Sequence, residues 1–337
     1  MPAFRIIEVR KATIIFVIVA FALIAAWTSL GGAVRSKLPK MSSLKHFSYD
    51  FEVVPGVFLQ DDPSTEWSGF NPAQHNFGLI DRTYDSDDDG MSNLSAWQRF
   101  DKFVQSLVAA ASDGVSYKVL YMGRHGQGFH NVAESSYGTK AWNDYWSKLE
   151  GNGTVIWADA HLTEVGEEQV LQAHEFIASQ LSDKMMPAPE AYYVSPLYRC
   201  LQTANLTYAG LQLPVDRPFK PIIKELLRED LGEHTCDRRS SRTVIHRAFP
   251  EWRFESGFSE HDLLWRADYR ETDEEHDVRT RAFMNELFSN DRSTYISLTS
   301  HSGAIASKLR VLGHRVFTLP TGGMIPVLVK ATRREAS

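Results

Sequence analysis

Three short apolar runs rich in β-formers constrain this chain more than any other feature. Residues 117–122, 191–194 and 294–299 contain no glycine or proline, and each runs straight into a polar loop. Such runs read as buried strands. Between and before them lie stretches with helical spacing. Leu94, Trp97, Phe100, Val104, Leu107 and Val108 recur at steps of mostly three and four, a core-facing stripe. A second helix is predicted over residues 162–181, with Val165, Val170, Leu171, Ala173 and Ile177 on its buried side. A third is predicted over 273–288, carrying Val278, Phe283, Leu287 and Phe288. Residues 220–227 have an extended pattern, and 324–329 read as a final strand, which Pro326 makes an edge candidate. Strands that alternate with helices predict one α/β domain with a mostly parallel sheet flanked by helices.

In a parallel sheet the carboxyl ends of the strands share one edge, where open α/β sheets hold their ligands. The first run breaks at Gly123 into Arg124-His125-Gly126, with Asn131 further along the same polar edge. The second is followed by Ser195-Pro196 and then Arg199, and the third runs into Ser300-His301-Ser302-Gly303. Arginine offers a planar fork of donors suited to phosphate, and histidine is a candidate nucleophile or base. Two arginines and two histidines converging on one point make an anion site with a nucleophile in it. Singly, each has a plainer reading: Arg199 as the partner of a carboxylate at a helix start, His301 as a hydrogen-bonded core histidine. His130 lacks a third ligand at metal-binding spacing, so it reads as pocket wall and no metal is expected. Arg238 and Arg239 suit either a second substrate anion or plain surface charge.

The ordered set resembles the histidine phosphatase superfamily, the phosphoglycerate mutase-like group. The motifs that carry the likeness are Arg124-His125-Gly126 with Asn131, then Asp159-x-x-Leu162-Thr163-x-x-Gly166-x-x-Gln169. Ser195-Pro196-Leu197-x-Arg199-x-x-Gln202-Thr203-Ala204, Leu227-Arg228-Glu229 and Ser300-His301-Ser302-Gly303 follow in the family's order. The string around Arg124–Glu134 and the one from Leu227 to Arg239 are most similar to the fungal phosphomutase-like branch. The resemblance implies a three-layer phosphoglycerate mutase-like fold and a cofactor-free, metal-independent phosphoryl transfer. His125 would attack phosphorus and become phosphohistidine, and water would release phosphate. Arg124, Asn131, Arg199 and His301 would hold the phosphoryl oxygens, with His301 also counted among the catalytic groups. Glu229 would donate a proton to the leaving group, with Asp230 as the fallback. The partner is a small phosphorylated substrate. Where the family's mutases usually carry Glu-Ser after Arg-His-Gly, Gln127-Gly128 stands here, which favours a phosphatase over a phosphomutase. A catalytically weak phosphate-binding module is the alternative of another class.

The remainder of the 337 residues sets the context. A formal charge of −6 gives no electrostatic case for nucleic acid. Two cysteines, Cys200 and Cys236, exclude a disulfide framework but leave one bridge open. Basic residues precede an apolar run over 12–27 that continues through small residues to Val34. It reads as a signal-anchor, a single membrane pass in the secretory pathway, with a cleaved signal peptide and a secreted product as the alternative. The sequons at Asn93, Asn152 and Asn205 fit either. Residues 35–50 read as a linker, 51–331 as the catalytic domain and 332–337 as a tail. Within the domain, 85–90 is an acidic loop that lacks the twelfth-position Glu of a calcium loop, where Ala96 stands. Residues 133–160 read as a long loop whose Trp142, Trp146 and Trp157 pack over the sheet, and the aperiodic 233–270 as a lid or insertion.

Overall fold

The three apolar runs form the middle of a seven-stranded sheet. The structure is a computed structural model that describes residues 47–66, 72–87 and 93–334. Its strands are β1 (Tyr49–Val53), β2 (Val115–Arg124), β3 (Ala191–Val194), β4 (Ile222–Ile223), β5 (Arg253–Phe254), β6 (Tyr295–Ser300) and β7 (Met324–Arg333). Across the sheet they lie in the order β1-β7-β2-β6-β3-β4-β5. The five from β2 to β5 in that order run parallel. β7 is antiparallel to both of its neighbours, β2 and β1.

β7 is therefore an interior strand, not the edge that Pro326 suggested. Proline is tolerated because pairing with β1 stops at Val53–Val329. Pro326 lies beyond that point, opposite Tyr121 of β2, and its carbonyl accepts from the Gln60 amide at 3.4 Å.

Alternation along β2 sends Leu120 and Met122 to one face and Val119 and Tyr121 to the other. Leu120 and Met122 pack with Ile296, Leu298, Phe283, Met284 and Leu309. Val119 and Tyr121 pack with Trp97, Phe100, Val104 and Ile177. The first face is covered by helices Asp273–Asn290 and Ser302–Val311, the second by Ala96–Ala110 and Glu164–Ser182. This gives helix, sheet and helix layers. Each fully buried Leu or Phe contributes about 1.5–3 kcal/mol, and these clusters set the register of the central strands.

In chain order the helices are α1 (Ala96–Ala110), α2 (Phe129–Tyr137), α3 (Thr139–Asp144), α4 (Glu164–Ser182), α5 (Tyr198–Tyr208), α6 (Arg242–Ala248), α7 (Asp273–Asn290) and α8 (Ser302–Val311). Thr163 caps α4 by accepting from Gly166 N, and Thr272 caps α7 by accepting from Glu275 N.

Several expectations change. Val165 and Leu171 are exposed, because α4 turns Gly166, Val170, Ile177 and Gln180 inward. Val278 is 71% exposed, since α7 buries Thr280, Phe283, Met284 and Leu287. Residues 133–160 are not one loop but most of α2, all of α3 and a 3-10 turn at Trp146–Lys148. The three tryptophans there form a small core of their own with Ala133, Ala160 and Cys236. The segment 233–270 contributes the edge strand β5 to the sheet, so it is more than a lid. Tyr49 and Asp50, placed in the linker by sequence, already belong to β1. Both cysteines are buried and free. The N-terminal apolar segment, most of the linker, residues 88–90 and the last three residues lie outside the described residues. Among the described residues no helix is long and apolar enough to cross a membrane.

Candidate active site

The register of the three central strands decides what meets at the sheet edge. Gly123 of β2 pairs with Thr299 of β6, and Val194 of β3 pairs with the same Thr299. The next residues, Arg124 and His125, Ser195, and Ser300 and His301, therefore leave the sheet at one level. Of these, Arg124 and His125 reach a cavity of about 560 Å³ that is also lined by His130, Asn131, Arg199 and Glu229, among others.

His125 is 2% exposed. Its Nδ1 lies 2.7 Å from the Gly126 carbonyl oxygen, a contact that requires Nδ1 to carry the proton and donate it. Nε2 is then the unprotonated nitrogen. Burial, followed by the charges of Arg199 and Arg124, holds the ring well below the usual histidine pKa. It is a neutral imidazole with a free lone pair.

The loop carrying it depends on a close backbone approach. A Cβ on Gly126 would lie 2.4 Å from Gly166 O, and one on Gly166 would lie 2.0 Å from Gln127 O. Glycine at both positions lets α4 press against the loop. Side chains then pin it: Thr203 Oγ1 accepts from Gly126 N, Gln169 Oε1 accepts from Gln127 N, and Thr163 Oγ1 donates to Gln127 Oε1. Gln202 Oε1 accepts from Leu162 N. These motif residues are scaffold around the reacting group.

Arg199, in the first turn of α5, is fully buried. Its NH1 donates to the Cys236 carbonyl at 2.6 Å and its NH2 to Asp237 Oδ1 at 2.9 Å, while Nε has no partner. It does pair with a carboxylate, one the sequence did not single out, and still keeps a donor. Arg124 NH1 donates to Leu319 O at 2.6 Å, and its buried Nε is also unpartnered. Asn131, in the first turn of α2, accepts from Gly128 N through Oδ1, so its amide hydrogens remain available. His130 is buried beside His125, ring centres 5.3 Å apart, with Nδ1 unpartnered. These are pocket-wall donors waiting for an anion.

His301 is different. It is fully buried at the start of α8, with its ring centre 5.2 Å from that of His125. Its Nε2 lies 2.8 Å from Ser195 Oγ and 3.4 Å from Cys200 Sγ. It is set against Ser195 and Cys200 and is not among the residues that line the cavity.

Glu229 and Asp230 separate clearly. Desolvation, then the charges of Asp230 and Asp237, lifts the Glu229 pKa above the ordinary carboxylate value. Its Oε2 accepts from Gly303 N at 3.1 Å. Asp230 is lowered: desolvation opposes ionisation, but the hydrogen bond with His276 and the charge of Arg270 prevail. One carboxyl keeps its proton more readily and its neighbour loses it, the pattern of a general acid beside a structural anion.

Sequence reasoning missed Asp237, Arg270 and His276. Asp237 is buried and grips both Arg199 and Arg270, whose charges outweigh desolvation and keep it ionised. Arg279 of α7 donates to the carbonyls of Leu226, Arg228 and Glu229, fixing the loop that presents the acid. The only available signal was an unexplained density of Arg, His and Asp without periodicity. Two groups, Glu229-Asp230-His276 and His234-Cys236-Asp237, bring metal-type donors within 4.8 Å of one another. In both, key atoms are already engaged, Asp237 by two guanidiniums and Asp230 by His276 and Arg270.

Residues 120–319 match the histidine phosphatase superfamily (branch 1). The chain belongs to this superfamily. As a phosphoglycerate mutase-like enzyme it is similar to a protein of Arthroderma benhamiae named "Probable phosphoglycerate mutase". The two are 51% identical over 282 residues, covering 83% of this chain and 84% of the relative. It is 36% identical over 307 residues to "Phosphomutase-like protein 3" of Candida albicans, covering 90% of this chain and 84% of that one. Among solved structures it is similar to a mycobacterial glucosyl-3-phosphoglycerate phosphatase, at 20% identity and a TM-score of 0.38. That match covers 63% of this chain and 91% of the other. Membership in this family supports an enzyme.

Proposed function

We propose that this enzyme hydrolyses phosphate monoesters through a phosphohistidine on His125, without a metal. The observation that carries it is the Nδ1 contact to Gly126 O, which frees Nε2 beside two buried guanidinium Nε groups that lack partners. Nε2 attacks phosphorus, the ester P–O bond breaks, and Glu229 delivers its proton to the departing alkoxide. Water then attacks the phosphohistidine, Glu229 takes its proton, and the N–P bond breaks to release phosphate. Arg124, Arg199, Asn131 and His130 carry the phosphoryl oxygens, where developing charge is best met by preoriented donors. His301 acts as a positioning residue, supporting the His125 ring from behind.

The relatives' names favour a phosphomutase as the second reading, in which the same phosphohistidine returns its group to the substrate. The test is phosphate release from a chromogenic phosphate ester by the purified full-length chain and by His125→Ala. Turnover lost by roughly four orders of magnitude in the variant supports the reading. Unchanged release removes His125 as nucleophile, and phosphoryl exchange without release identifies a mutase.

We further propose that the apolar segment at 12–34 anchors the enzyme to a membrane of the secretory pathway. Alkaline carbonate should leave the full-length protein with the membranes. A shortened, released form would instead indicate a cleaved signal and a secreted enzyme.

A further inference from the structure

The phosphate-binding residues are only part of the cavity lining, and the other charges on it bear on what the phosphate is attached to. Besides Glu229, four carboxylates, Glu134, Asp230, Glu233 and Asp237, line the cavity with three guanidiniums, Arg124, Arg199 and Arg270. The first two arginines serve the phosphoryl group. Arg270 is consumed: its NH1 donates to the carbonyls of Asp230 and Gly232 and to Asp237 Oδ2, and its NH2 lies 3.4 Å from Asp230 Oδ2. No lysine lines the cavity among the described residues.

The other arginines suited to a second substrate anion, Arg238 and Arg239, are occupied elsewhere. Arg239 is buried and donates to Glu225, to both oxygens of Ser259 and to the carbonyls of Glu260 and His261. Arg238 forks onto Glu150. Glu233 has Lys148 at 3.6 Å. Glu134 is the exception: half-buried on the wall, its carboxylate acts on the Arg124 charge from a distance but makes no direct side-chain hydrogen bond or ion pair among the described residues.

We propose that the outer cavity selects monophosphates of an uncharged, polyhydroxylated alcohol, with Glu134 accepting its hydroxyls and rejecting a second anion. This rests on the phosphatase reading above. An ionised carboxylate only accepts hydrogen bonds, so an unengaged one on a cavity wall seeks hydroxyl or ammonium donors. The same charge opposes a carboxylate or second phosphate brought close to it, and discrimination by repulsion is an ordinary route to specificity. Thr139 and Asn143 on the same wall add uncharged partners for hydroxyls. The volume suits a small polar ligand. A phosphoglycerate, which carries a carboxylate beside its phosphate, is disfavoured.

The test uses pairs that differ in one anion: glycerol 3-phosphate against 3-phosphoglycerate, and glucose 6-phosphate against glucose 1,6-bisphosphate. Wild-type full-length enzyme should prefer the uncharged member in kcat/KM by roughly tenfold or more. Glu134→Gln should narrow that ratio, and Glu134→Lys should abolish or reverse it. Equal or better turnover of the doubly anionic esters, or a ratio unmoved in Glu134→Lys, overturns the proposal. Calorimetric affinities of His125→Ala for the same pairs read the preference without turnover, so failure of the catalytic reading shows separately. Tighter binding of glycerol 3-phosphate supports the selection, and equal or tighter binding of 3-phosphoglycerate overturns it.

Discussion

The floor of the pocket is delivered by strand ends, whereas the wall that carries Glu229, Asp230 and Asp237 is delivered by a segment held together through side-chain ion pairs. On the floor, backbone pairing of Gly123 and Val194 with Thr299 fixes where Arg124, His125 and His301 emerge. On the wall, Arg228 forks onto Asp262, Arg239 meets Glu225 at 2.6 Å, and Arg279 meets Glu271 at 2.6 Å. Those pairs place Glu229, Asp230 and Asp237. A floor fixed by a ladder tolerates loss of any one side chain, because backbone hydrogen bonds and apolar packing remain. A wall fixed by buried charges does not, since each lost partner strands the other without water.

The sharpest way to break this contrast is Asp237→Asn. The carboxylate is nearly fully buried between Arg199 and Arg270, so its removal should cost about 3–5 kcal/mol of stability. The expected readout is a fall in denaturation midpoint together with a large loss of kcat/KM, as Arg199 loses its anchor. Its pKa is lowered, so the stabilisation by this pair is complete above the ordinary Asp value and fades as pH falls through the lowered one. A variant as stable as wild type would mean that the wall does not depend on its buried pairs.

Next comes Glu229→Gln, with roughly a hundredfold loss in kcat on esters of poor leaving groups and a smaller loss on a nitrophenyl ester. The pH profile gives the sign. A raised Glu229 pKa keeps the acid protonated to higher pH than an ordinary glutamate, and a lowered His125 pKa keeps the nucleophile neutral into the acidic range. Therefore kcat/KM should hold a plateau on the acidic side and fall as pH rises through the Glu229 pKa. In Glu229→Gln that alkaline fall should vanish. If it persists, another group is the acid.

The smallest effect belongs to an exposed pair in the same segment. Arg238 and Glu150 are 37% and 62% exposed, so Arg238→Ala should change stability by no more than about 1 kcal/mol, with turnover kept. A large loss there would blur the line between buried and exposed pairs on the wall.

The contrast also explains what the sequence disclosed. Residues 191–194 were read as a strand with the observed bounds, and the runs at 117–122 and 294–299 lie within two residues of β2 and β6. Burial on a pleated sheet leaves a pattern in the residues, as does a helix packed on one side. α4 and α7 turn other residues inward, so Val165, Leu171 and Val278 were assigned to the wrong face. Arg124, His125, Asn131, Arg199 and Glu229 do line one cavity, as their positions in the chain suggested. His301 shares the same strand-end level but is turned toward Ser195, and a side-chain rotation of that kind leaves no mark in sequence. Asp237, Arg270 and His276 were invisible for another reason. Partnership between charges far apart in the chain, such as Asp230 with His276, has no period to detect.

The most direct measurement is to trap the phosphoenzyme. Full-length protein mixed with a phosphate ester and quenched in alkali, where phosphohistidine survives, should yield by mass spectrometry one phosphorylated peptide. That peptide should carry the phosphoryl group on His125, and none should form in His125→Ala. A phosphoryl group on any other residue, or turnover with no phosphoenzyme at all, would contradict the account.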